Sequence, residues 1–101
     1  MSLSHADFMY IYKRARELGA RVTFVLERSR YRLVINRFIH PRDDHDRRMP
    51  WGEAFGTKLP HDVINTFGVK EVIVKLEDRE LRFESLKDFL RWLRPARTLK
   101  T

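Results

Sequence analysis

Two stretches of this chain alternate apolar and polar residues with period two, and each reverses direction once within itself. They are RVTFVLERSRYRLVINRFI (residues 21–39) and EVIVKLEDRELRFES (residues 71–85). Period two sends successive side chains to opposite faces of a pleated ribbon, and β-branched and aromatic residues suit such a surface. Each stretch therefore predicts a β-hairpin. In the first, Val22, Phe24 and Leu26 share a face with Tyr31, Leu33 and Ile35, across a turn at Arg28, Ser29 and Arg30. In the second, Val72, Val74 and Leu76 lie opposite Leu81 and Phe83, with the turn near Asp78 and Arg79. Hairpin strands are antiparallel, which commits the chain to an antiparallel sheet.

The segments flanking the hairpins carry helical spacing. In SHADFMYIYKRARELG, Phe8, Ile11, Tyr12, Ala15 and Leu18 form one apolar face; Ser4 with Asp7 is a capping-box pair, and Gly19 suits a left-handed C-cap. LPHDVINTFG starts on Pro60, turns Val63, Ile64 and Phe67 inward and ends at Gly68. SLKDFLRWLR is capped by Ser85 with Asp88, buries Leu86, Phe89, Leu90 and Leu93, and stops at Pro95. The expected order is αββ–loop–αββ–α. This is one α+β domain spanning residues 1–101, a four-stranded antiparallel sheet made of two hairpins with helices on one face. An echo between LERSRYRL (26–33) and LEDRELRF (76–83) fits two helix–hairpin units, by duplication or by convergence.

Residues 40–60 have no periodicity and read as a long loop between the two halves. Within them His40, Asp43, Asp44, His45 and Asp46 are all competent metal ligands. They lie in one unbroken polar run that also holds Arg42, Arg47 and Arg48, and Asp and His are good loop formers. A catalytic metal needs ligands fixed by regular elements, so the run is read as a connection, with no metal and no cofactor. A loop this long is often a binding loop, and Met49, Trp51 and Phe55 are its candidate partner contacts. Trp51 and Phe55 are equally suited to covering an edge of the core.

Charge supplies the functional expectation. Residues 1–42 hold nine basic and three acidic groups, residues 43–90 hold eight and eleven, and residues 91–101 add four basic groups and no acid, within a net charge of +7. A basic first segment and a basic tail at 96–101, expected to be flexible, point to a polyanion such as DNA or RNA. The candidate phosphate contacts are Arg21, Arg28, Arg30 and Arg32 on the first hairpin and Lys87, Arg91 and Arg94 on the last helix, extended by Arg97 and Lys100. The open sheet face interleaves opposite charges, with Lys75, Arg82 and several glutamates, and lacks central aromatics. Ion pairing suits it better than base stacking.

The expected function is a non-enzymatic nucleic-acid-binding module. One alternative is a protein adaptor, homo-oligomer or assembly subunit of a larger complex or phage particle, binding through residues 40–56. Another is a small metal-independent endoribonuclease using His61 and Tyr31. No glycine-rich phosphate loop is present. Without cysteine there are no disulfides or thiolate zinc sites. With no apolar leader and no run of 18 apolar residues, a cytoplasmic protein away from the membrane is expected.

Overall fold

The computed structural model describes residues 2–94. The expected basic tail at 96–101 lies outside that range. The first helix, α1 (His5–Leu18), begins on the capping box: Ser4 Oγ accepts from the Asp7 N–H, and the Asp7 carboxylate accepts from the Ser4 N–H. It ends at Gly19, whose φ of 64° is the left-handed conformation that costs glycine least. Strands β1 (Arg21–Leu26) and β2 (Arg32–Ile35) form the first hairpin, with Val22 opposite Ile35 and Phe24 opposite Leu33.

The sheet has five strands rather than the expected four, because the region read as a loop opens with β3 (Ile39–Arg42) paired antiparallel to β2. The sequence reading took this segment as loop because it lacks periodicity, and Pro41 within it cannot donate to a ladder. On an edge strand that loss is harmless when the proline faces outward. The Pro41 carbonyl points away from β2 and accepts from the Met49 N–H at 3.1 Å, so the proline nitrogen faces outward too. The same region continues into a short helix, α2 (Trp51–Phe55), and then α3 (Pro60–Phe67). The second hairpin follows as β4 (Val69–Lys75) and β5 (Glu80–Phe83), with Val72 opposite Phe83 and Val74 opposite Leu81. Last comes α4 (Leu86–Leu93), where Ser85 Oγ caps the Asp88 N–H.

The strand order is β3-β2-β1-β4-β5, so the two hairpins meet through β1 and β4 at the centre. Thr23 pairs with Ile73, Val22 with Val74 and Phe24 with Val72. That pairing matches the 50-residue spacing of the sequence echo: Thr23 faces its own counterpart, and the positions on either side exchange. The outer strands depart from the symmetry, since Arg32 lies opposite Val25 whereas its echo, Arg82, lies opposite Ile73.

One face of the sheet carries the core. Val22, Phe24, Leu26, Leu33, Ile35, Val72 and Val74 pack beneath Phe8, Ile11 and Ala15 of α1, Val63 and Ile64 of α3, and Phe89 and Leu93 of α4. Phe24 sits at the middle, edge-on to Phe89 at 5.8 Å and tilted against Phe8 at 6.5 Å. Among the described residues no helix is long and apolar enough to cross a membrane.

Candidate functional site

The seven basic residues singled out in the sequence do not form one surface. Four lie on the helical side, two on the open face of the sheet, and Arg30 on neither.

On the helical side, the tip of the first hairpin comes down beside the start of α4. Arg28 and Lys87 line a common depression of about 330 Å³, bordered by Gly68 and Leu86. The Arg28 guanidinium donates to the Thr66 carbonyl at 2.8 Å and lies 3.6 Å from the Glu27 carboxylate. Gly68 makes this approach possible. It has a φ of 73°, and a Cβ there would lie 3.0 Å from Glu27 Oε1 and 3.4 Å from an Arg28 nitrogen. Lys87 then borders a second depression, of about 290 Å³, with Arg91 and Arg94 along the exposed side of α4. Arg91 reaches Asp88 at 3.3 Å; Lys87 and Arg94 have no ion-pair partner among the described residues. The result is a cationic ridge running from the hairpin tip down the last helix.

Arg30 belongs to neither surface. Its guanidinium stacks over the Tyr31 ring at 4.8 Å from the centroid and approaches Asp44 at 3.7 Å.

On the open face of the sheet, Arg21 and Arg32 meet Lys75 and Arg82 around a depression of about 220 Å³. Its floor is the central pair, Thr23 and Ile73. Counting by twos already places all four cations on this face, but only the β1–β4 pairing brings the halves together. Cross-strand ion pairing holds in part: Arg82 reaches Glu71 at 2.8 Å and Glu80 at 3.3 Å. Arg32 and Lys75 have no ion pair among the described residues.

The segment after β3 borders the same face. Asp43, almost fully buried, organises it. Its Oδ1 accepts from the N–H groups of His45 and Arg47 at 2.9 Å each, and its Oδ2 from Arg47 Nε at 3.0 Å. The backbone N–H of Arg47, joined by that of His45, outweighs the opposing effect of burial and holds the carboxyl pKa below its ordinary value. Asp46 follows and reaches Arg21 at 3.4 Å and Arg42 at 3.8 Å. Both Asp43 oxygens and His40 Nε2, which accepts from Arg42 Nε at 3.2 Å, have partners within the protein. Among the described residues no three acidic or histidine side chains converge as metal ligands.

The expected partner contacts of the loop turn toward the body of the protein. Phe55 is buried in the core cluster, and Trp51 packs edge-on to it at 5.1 Å while its indole N–H donates to the Lys58 carbonyl at 2.9 Å. Met49 is half-buried beside β3. Tyr31 and His61, the endoribonuclease candidates, have separate surroundings. Tyr31 lies edge-on to Phe55, whereas His61 faces His5 and the Asp62 carboxylate.

Comparison with known protein families, with curated proteins and with solved structures gives no match for this chain.

Proposed function

We propose that this protein is a non-enzymatic module that holds nucleic-acid phosphates along the ridge formed by Arg28, Lys87, Arg91 and Arg94. The supporting observation is that residues 59 positions apart in sequence, Arg28 and Lys87, border one depression and continue into the exposed cations of α4. Arg28 is presented ready-ordered, since its hydrogen bond to Thr66 removes much of the freedom a surface arginine would lose on binding. Lys87 and Arg94 are the strongest candidates for phosphate because neither is held in an ion pair among the described residues, Asp7 being the acid that shares a depression with Arg94. The ridge carries no stacking aromatics, so the reading is backbone contact without base recognition.

Backbone contact of this kind releases counterions, and affinity then falls linearly with salt on a log–log scale, by about 0.9 per phosphate neutralised on B-DNA. Replacing Arg28, Lys87, Arg91 and Arg94 together with Gln should shrink the slope by up to about 3.6, measured by fluorescence anisotropy on a short labelled duplex. Equal slopes for wild type and variant would refute the ridge. A wild-type protein that binds no duplex at low salt would refute the function. The adaptor reading puts the decisive contact at Trp51, so capture of a protein partner lost in Trp51→Ala but kept in the four-fold variant would favour it.

A further inference from the structure

We propose that the open face of the sheet holds a second phosphate site, between Arg21, Arg32, Lys75 and Arg82, and that the Asp46 carboxylate partly occupies it in the free protein. The choice of a nucleic-acid phosphate as ligand rests on the function proposed above; the site itself rests on separate geometry.

Four cations from four strands surround one depression, and the two acids that also line it leave the balance positive. Arg82 is committed to Glu71 and Glu80, and among the described residues Arg21 pairs with Asp46 alone. Arg32 and Lys75 lack an acidic partner among the described residues. The floor is formed by Thr23 and Ile73, and the Thr23 hydroxyl offers an anion one donor beside the cations. His40, on the same face, reports the local potential. Burial first, then the charges of Arg48, Arg42 and Arg21, hold its pKa below the ordinary value.

Asp46 has the features of a displaceable stand-in. Its contacts with Arg21 and Arg42, at 3.4 and 3.8 Å, are long for charge-assisted pairs, which close to about 2.7–2.9 Å when they are strong. Its side chain is 65% exposed. Its backbone is held at a φ of 64°, the sole positive φ at a non-glycine residue among those described, with its carbonyl accepting from Arg42 at 2.6 Å. That conformation aims a carboxylate at Arg21 from a loop that Asp43 fixes. A phosphate has more charge and more acceptor oxygens than a single carboxylate and would take over Arg21 while adding Arg32 and Lys75.

Asp46→Asn is the sharpest variant, because asparagine also tolerates a left-handed backbone and only the charge is lost. In the protein whose helical ridge has been neutralised, Asp46→Asn should tighten duplex binding several-fold, and Arg32→Gln with Lys75→Gln should abolish that gain. No tightening, with the ridge contribution to the salt slope intact, would overturn this site and leave the proposed function standing. Inorganic pyrophosphate provides the arm that needs no nucleic acid. The amide resonances of Thr23 and Ile73 should shift and saturate, at lower concentration in Asp46→Asn than in wild type. Unmoved resonances, or identical saturation in both proteins, would overturn the site regardless of what the duplex does.

Discussion

His40 is buried on the open side of the sheet with Nε2 accepting from Arg42 and Nδ1 without a partner. The acceptor role at Nε2 requires the neutral ring, and burial together with Arg48, Arg42 and Arg21 disfavours the imidazolium. In the unfolded chain the same side chain takes up a proton near pH 6.5. The unfolded state therefore binds more protons just below that pH, and the stability associated with neutral His40 is present above it and lost as pH falls through the depressed value. The urea midpoint should drop between pH 7 and 5, and His40→Gln should flatten that part of the profile. An unchanged pH dependence in the variant would show that His40 is free to protonate in the fold. The carboxylates of Asp7 and Asp43 act in a lower window. Backbone hydrogen bonding lowers both, from Ser4 for Asp7 and from Arg47 for Asp43, so their contribution fades only as pH falls below the ordinary carboxyl value of 3.8.

At the scale of elements, the informative piece is the segment from β3 to residue 48. A strand carrying a proline, a histidine and an arginine in four residues has little propensity of its own, and an exposed edge invites pairing with another chain. Here Arg48 bridges back to Arg42, and Met49 donates to Pro41, so the outer edge of β3 is partly covered from within. Asp43 makes this possible by closing the turn on two backbone N–H groups. Asp43→Ala should speed hydrogen exchange at the His45, Arg47 and Met49 amides, with little change at Val72 and Val74. Asp43→Asn, which keeps an acceptor oxygen, should lie between. Full protection surviving in Asp43→Ala would mean that the turn is held by its other contacts.

Across the whole molecule, a chain of aromatic rings ties the helices to the sheet. Phe8, Phe24 and Phe89 are each essentially inaccessible, and Phe89 also contacts Phe83 and Trp92 at 5.8 and 6.3 Å. Phe89 thus joins α4 to the strands of both hairpins. Phe89→Ala should cost about 3–5 kcal/mol, through lost burial and the cavity left behind. Domain stabilities are on the order of 5–15 kcal/mol, so the variant should unfold at much lower urea concentration, whereas Trp51→Ala, at a half-buried position, should cost less. Similar midpoints for the two variants would place the mechanical centre elsewhere.

Both hairpins, the three longer helices and their caps were legible in the sequence because each depends on neighbours a few residues away. A period of two, a serine three residues before an aspartate, or a glycine at a left-handed turn carries its physical cause within a short window. The division of the basic residues was not legible. Arg21 and Lys75 are 54 positions apart and become neighbours only through the β1–β4 register, while Arg28 and Lys87 come to border one depression beside Gly68. Nor did composition reveal β3, whose stability comes from the partner strand beside it and from a turn closed by one buried carboxylate. Local conformational preference is written along the chain, whereas the meeting of distant charges is decided by which strand pairs with which, and that depends on how all the apolar faces are buried together.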